Sequence, residues 1–309
     1  MRITQRSIAT TSLQGLNRNL DAIGKLQQQL TSGKTINKPS DDPTGTNAAL
    51  QTRQDLANAT QYARNISDGM GVLDQTDSTL QNMIKQVQVV RDRTLLASNS
   101  GTMNEATRAA TATEISGIRD SLIGLANTVV QGHPIFGGIT GGTAAYDADG
   151  QYVGYGGTSD VKAVPVTRQV SDNEVVRVDI TGPEAFGETA AATPTTPATR
   201  SLFTLVGDIA DHVTSGDSAG LAKDLSDLDT ALNGLLNAAS DIGTRTNRIE
   251  TAKQVNADLQ LTLTSRSADI ENVDLAKTIM NLQMQQTGYQ AALGAAAKVI
   301  QPTLLDFLR

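Results

Sequence analysis

The sequence predicts a mainly α fold: a long antiparallel helical bundle of coiled-coil type built from both chain ends, with a small β-rich domain inserted in the middle. Three observations predict it. The eight prolines stand at 39, 43, 134, 165, 183, 194, 197 and 302, so residues 44–133 and 198–301 contain none of the residue that breaks helices. Apolar residues in both stretches recur at alternating steps of three and four, which lays one stripe along a helix. Five of the nine aromatic residues (Phe136, Tyr146, Tyr152, Tyr155 and Phe186) lie between these arms, where glycine is also concentrated.

Taken in chain order, Leu13, Leu16, Leu20, Ile23, Gln27 and Leu30 form a first heptad stripe. A helix of about 20 residues with so narrow a stripe is marginal alone and needs a partner. Asp42 before Pro43 marks the next start, an N-cap followed by a proline whose missing N–H costs nothing at the first helical position. From there Leu56, Ala59, Ala63, Ile66, Met70, Leu73, Asp77, Leu80, Ile84 and Val87 carry the stripe of the first arm. SNSG (98–101) breaks it, and Thr102 with Glu105 reads as a capping box opening a helix to about Gln131. VKAVPVTRQV and EVVRVDI read as strands, with Val176, Val178 and Ile180 alternating against Arg177 and Asp179, and SDNE (171–174) turns one into the other. Residues 188–200 have the composition of a linker or exposed loop. The second arm repeats the stripe through Leu221, Leu225, Leu228, Leu232, Leu235, Ala239, Ile242, Thr246 and Ile249.

The C-terminal helix differs from the others. Leu275, Ile279, Leu282, Gln286, Tyr289, Leu293, Ala296 and Ile300 form one stripe, while Val273, Met280 and Met284 fall on the opposite face. A single partner helix cannot cover both. The N-terminal stripe is the natural partner for one face, and the pair would be poor in aromatic bulk, so these ends are expected to order against other subunits. The second face resting on the helical arms of the same chain is the alternative.

Composition removes several classes of function. With no cysteine there is no disulfide framework, thiolate metal site or cysteine nucleophile, and His133 and His212 are too few for an imidazole-rich metal centre. A net charge of -7, without a run of Lys or Arg, disfavours nucleic acid and anionic membranes. No apolar run approaches the roughly 18 residues of a membrane span, and the N-terminus is too polar for a signal-peptide core. GDSAG (216–220) has the form of a nucleophile elbow, but both histidines precede Ser218 where the triad order needs one after it. It reads instead as a polar loop in which Asp217 or Ser218 caps the next helix. Asp147, Asp149 and Gly150 imitate part of a calcium loop, yet Gly156 stands where the bidentate Glu belongs, so a turn is expected. GYGG (154–157) is followed by strand-like sequence and so lacks a helix dipole for phosphate. His133 is expected at a helix end and His212 facing solvent. No enzyme, cofactor or metal is expected.

TSGKTINKPSDDPTG (31–45) resembles the turn joining the first two helices of the flagellins and hook-associated proteins, and QQTGYQAALGAAAKVIQPTLLDFLR (285–309) resembles their C-terminal helix. Within that family, SGKTINKPSDDP with Lys34 and Pro39, PIFGG (134–138) and VRVDITGPEAFG (176–187) are most similar to the members that join hook to filament. The resemblance implies an extracellular bacterial protein, exported without a cleaved signal peptide through the flagellar type III apparatus. It implies a ring-like homo-oligomer between hook-associated protein 1 and flagellin, and an export chaperone bound at the C-terminal region. The filament subunit itself, a flagellin, is the alternative, and a cytoplasmic coiled-coil interaction module is a further one. The division expected is a terminal assembly region (1–40 with 270–309), a helical rod (41–137 with 201–269) and an outer β-rich domain (138–200). The candidate assembly residues are Leu13, Leu16, Leu20, Ile23, Leu30, Val273, Leu275, Ile279, Met280, Leu282, Met284, Tyr289, Leu293 and Ile300.

Overall fold

A computed structural model describes residues 5–99, 103–154, 164–187 and 200–300; for residues 5–9 and 298–300 it describes the helical backbone alone. The elements are α1 (Gln5–Ser32), α2 (Pro43–Ser98), α3 (Glu105–Ala126), β1 (Val129–Val130), β2 (His133–Pro134), β3 (Thr167–Gln169), β4 (Val175–Arg177), α4 (Gly182–Phe186), α5 (Leu202–Ser215), α6 (Ser218–Glu271) and α7 (Leu275–Ile300). They form two compact units, Met1–Asn58 with Leu259–Arg309 and Ala59–Asp258. Long helices, with two small antiparallel sheets in the middle of the chain, are the mainly α architecture that the proline spacing and heptads predict.

In the unit Ala59–Asp258 the stripes become core. Ile66, Leu73, Leu80 and Val87 of α2, and Leu221, Leu228, Leu235, Ile242 and Ile249 of α6, stand seven apart and are buried in one cluster. That spacing keeps one seam facing the partner helix, because seven residues come close to two turns. An ion pair of 2.6 Å between Arg91 and Asp229 joins the two helices outside the seam. Where Val178, just past β4, also meets it, α2 carries Gly69, at which a Cβ would lie 3.0 Å from Val178 Cγ1 and 3.1 Å from Ile249 Cδ1. Helix α3 packs on α5, burying Ile115 and Leu122 beside Val206, Ile209 and Val213 in the same cluster. Phe136, Tyr146, Phe186 and Phe203 meet edge to face at centroid distances of 4.7–5.8 Å and bind the irregular middle segment to α5.

Strands β3 and β4 pair antiparallel with Arg168 opposite Val176, and SDNE turns between them, Ser171 N–H reaching the Glu174 carbonyl at 3.3 Å. Val176, Val178 and Ile180 are buried as their alternation predicts. Asp179 is buried too, because Arg177 donates to its Oδ1 at 2.8 Å. Helix α3 is shorter than predicted, ending at Ala126 instead of near Gln131. Val129 and Val130 leave it to pair with His133 and Pro134 through a turn in which Gln131 and Gly132 have φ of 53° and 86°. Two successive positive φ angles match the twist of a two-residue hairpin. His133 is thus a hairpin residue, and the β-branched pair explains why the helix stops early. The N-cap of α3 is Asn104, whose side chain accepts from Thr107 N at 2.8 Å; Thr102 lies outside the described residues, as do residues 188–199 and most of GYGG.

The loops behave as their chemistry dictates. Asp42 caps α2 by accepting from Gly45 N at 2.9 Å. Gly216 closes α5 at φ 72°, and Asp217 caps α6 through the amides of Ala219 and Gly220 at 3.1 Å each. Asp147 Oδ1 accepts from Asp149 N at 3.0 Å and Gln151 N at 2.7 Å, a turn and not a cation loop. His212 does not simply face solvent. Its Nδ1 is 2.5 Å from Asp224 Oδ2, and that buried carboxylate is shared with Arg200, which also pairs with Asp208 and Asp227.

Candidate assembly interface

In the unit made by the chain ends, α1 packs against α7. The seam that faces the partner is Ser12, Leu16, Asn19, Ile23, Leu26 and Leu30 on α1, and Thr278, Leu282, Gln285, Tyr289, Ala292 and Ala296 on α7, residues that are half-buried except for the buried Thr278. Both sets alternate steps of four and three, so the pair is a heptad seam. It is rotated from the predicted one. Leu16, Ile23, Leu30, Leu282 and Tyr289 belong to it, whereas Leu13, Leu20, Leu275, Ile279 and Leu293 do not. At its middle Gln285 Nε2 donates to Asn19 Oδ1 at 2.9 Å, a polar pair that fixes register. Thr278, Gln285, Ala292 and Ala296 lie on this seam, so the more polar and smaller side of α7 faces α1. The larger apolar side is left outward.

That side is extensive. Leu275, Ile279, Met280, Met284 and Leu293 are 44–67% exposed, Leu13 and Leu20 on α1 are 57% and 47% exposed, and Val273 is half-buried beside them. The side chain of Ile300 lies outside the described residues. Burying one Leu, Ile or Met side chain fully contributes about 1.5–3 kcal/mol, so seven such residues hold ample driving force for association.

The two interruptions in the helices, 33–42 and 272–274, are stitched to each other. Gly33 at φ 70° ends α1, and Lys34 pairs with Asn272 as an antiparallel bridge: Thr35 N–H donates to the Glu271 carbonyl at 2.7 Å and Val273 N–H to the Gly33 carbonyl at 3.0 Å. Above the bridge Glu271 is buried with its carboxylate in a fork, Arg53 Nε and Nη2 each donating at 2.6 Å and Lys34 Nζ at 2.8 Å. The Arg53 hydrogen bonds, with those of Lys34, hold the Glu271 pKa down at about 2 against the cost of burial. Lys25 of α1 pairs with Asp41 at 3.2 Å, and Asp41 in turn accepts from the amides of Asn37 and Lys38, so the 33–42 turn is held from α1 as well. Sequence patterning missed the Lys34–Arg53–Glu271 cluster. Its members are 218 and 237 residues apart, and the only local signal is the interruption of both heptads. Among the described residues no cluster of His, Cys, Asp and Glu could hold a metal ion, and no helix is long and apolar enough to cross a membrane.

Residues 3–140 match the profile of the bacterial flagellin N-terminal helical region, and residues 225–308 that of the bacterial flagellin C-terminal helical region. The chain belongs to the flagellin family. The first match takes in α1, α2 and α3, and the second most of α6 together with α7. Flagellar hook-associated protein 3 of Escherichia coli is 29% identical over 311 residues, 96% of each chain. A flagellin of Bacillus subtilis is 26% identical over 315 residues, the full length of both. The flagellar junction protein FlgL of Legionella pneumophila, at 16% identity and a TM-score of 0.56 over 73% of this chain and all of its own, has a similar fold.

Proposed function

We propose that the chain is a structural component of the bacterial flagellum that forms the junction between hook and filament by helix–helix assembly of its termini. The observation that carries this reading is the end-to-end similarity to flagellar hook-associated protein 3, 29% identical over 96% of both chains. The exposed apolar sides of α1 and α7 support it physically, since such faces bury themselves against further copies or neighbours. In this reading the protein works outside the cell and has no catalytic role, consistent with a family of structural proteins. Of the assembly residues, Leu13, Leu20, Val273, Leu275, Ile279, Met280, Met284 and Leu293 form the surface offered to neighbours, Leu16, Ile23, Leu30, Leu282 and Tyr289 hold α1 on α7 behind it, and Ile300 completes the set. The division of labour is a terminal region (1–40 with 270–309), a rod (41–137 with 201–269) and an outer domain (138–200). Its partners are further copies in a ring, hook-associated protein 1 on the hook side, flagellin on the filament side and an export chaperone before secretion, which proceeds without a cleaved signal peptide.

A second reading has its own support, the full-length match to a flagellin. Immunogold electron microscopy of intact cells with antibody against residues 138–200 separates them. Gold clustered where hook meets filament is expected; label along the whole filament makes the chain a flagellin, and protein found only inside the cell overturns both readings.

A further inference from the structure

The helices of the chain-end unit stop and restart at one level, and one buried side chain touches three of the pieces that meet there. Glu271 is the last residue of α6, Arg53 stands on α2, and Lys34 lies in the turn between α1 and α2, bridged to Asn272 between α6 and α7. Both oxygens of Glu271 are occupied, and its side chain is 7% exposed. Backbone stitching alone fixes where the two linkers cross. It does not fix the angle at which the α1–α7 pair sets off, because two backbone bonds in line form a hinge, and the further ties there, Thr35 Oγ1 donating to the Asn272 carbonyl at 3.0 Å and Lys25 paired with Asp41 at 3.2 Å, are a single exposed hydrogen bond and a half-exposed ion pair. The planar fork of Arg53 fixes the end of α6 on α2, since a bidentate pair sets direction as well as distance, and Lys34 on the same carboxylate ties the turn that follows α1 to that frame, supplying the missing restraint.

We propose that Glu271, clamped by Arg53 and Lys34, is a positioning residue that sets the direction of the α1–α7 pair relative to the first turns of α2 and the last turns of α6, and that assembly depends on this clamp. The inference rests on the reading that α1 and α7 carry the assembly surface. The clamp adds no contact to that surface. It keeps the outward apolar side chains of α7 aimed at the neighbouring subunit, and without it the same side chains sweep through a range of directions in which fewer of them meet their partners.

The test uses the full-length chain in a strain lacking it, reading the ratio of protein retained on purified hooks to protein exported, so that an export defect is not counted as an assembly defect. Glu271→Gln and Arg53→Gln are expected to lower the ratio at least tenfold while the aromatic circular dichroism and its melting stay at wild type. Purified variants added to isolated hooks give a second readout. Wild type should bind equally at about pH 5 and 7, because Glu271 stays ionised at both, whereas Arg53→Lys, which keeps the charge but not the planar fork, should bind hooks as weakly as Arg53→Gln. Wild-type retention in both variants, or wild-type binding by Arg53→Lys, overturns the clamp. Leu293→Asp, which leaves the clamp intact, is the control on the underlying reading: if it is retained normally the assembly surface is misplaced, whereas its loss together with normal Glu271→Gln retention sinks the clamp alone.

Discussion

The two units of this chain use the same heptad grammar to opposite ends. In Ala59–Asp258 the stripes of α2 and α6 close on one another and on α3, α5 and an aromatic cluster, leaving Leu73, Leu80, Leu228, Leu235 and Ile242 with no exposed surface. In the unit formed by the chain ends, the only buried apolar side chains among the described residues are Ala49 and Leu263, while Leu13, Leu20, Leu50, Leu259, Leu261, Leu275, Ile279, Met280, Met284 and Leu293 stand exposed. The difference lies in supply of partners: α2 and α6 are flanked by α3, α5 and the sheets, whereas α1 and α7 are described packed on each other. One unit completes its core within the chain, and the other presents the material for a core that several chains would share.

The largest effect should come from charging the open side. Leu293→Asp or Met284→Asp is expected to lower incorporation into the flagellum by more than about a hundredfold, since each neighbour then meets an unpaired buried charge worth several kcal/mol. Four of the five tyrosines, Tyr62, Tyr146, Tyr152 and Tyr155, lie in the other unit, so near-ultraviolet circular dichroism should report its melting unchanged. A chain truncated at about residue 270 that still joined the hook would break the comparison outright. Phe203→Ala tests the opposite unit. It empties the centre of the aromatic cluster and should cost about 3–5 kcal/mol, lowering the aromatic melting temperature by roughly 2–4 °C per kcal/mol for a unit of this size.

Acid should weaken the chain-end unit through Glu271. Glu271 is a carboxylate whose folded pKa is pushed down to about 2 from 4.5. Its contribution is therefore fully present above pH 4.5 and lost as pH falls from there towards 2. A depression of this size corresponds to stabilisation of order 3 kcal/mol. Helicity measured down this range should fall earlier in wild type than in Glu271→Gln, which has less to lose.

How much of this was legible beforehand follows the range of the interactions. The stripes of α2 and α6 were readable because a heptad is local, and the capping by Asp42 and Asp217 because it reaches three residues. The α1–α7 seam was displaced by one position because α7 is apolar on more than one side. Sequence pattern ranks faces by hydrophobicity, whereas the pairing follows the Asn19–Gln285 register and the small Ala292 and Ala296. The hairpin at 129–134 was hidden by a helix-permitting run that Gln131 and Gly132 end through positive φ. The Glu271 clamp left no local trace, since an ion pair across more than 200 residues is set by tertiary placement alone.

Smaller effects sharpen the same contrast within the self-sufficient unit. Asn104→Ala removes the side chain that caps α3 at Thr107 N and should cost about 1 kcal/mol in aromatic melting, with incorporation untouched because no assembly residue is moved.

The smallest effect concerns His212, in the last turn of α5. Its hydrogen bond to the buried Asp224, helped by the charges of Asp217 and Asp208, raises its pKa above 6.5. A raised histidine contributes stability that is complete below the unfolded value and disappears as pH climbs through the folded one. Melting followed by aromatic circular dichroism should therefore weaken on the alkaline side of neutrality, by the roughly 0.3–1 kcal/mol of a cation at a helix C-terminus. His212→Gln should abolish that dependence. If the alkaline slope survives the substitution, Arg200 alone compensates Asp224, and the charge cluster holds the start of α5 to α6 without any contribution from imidazole.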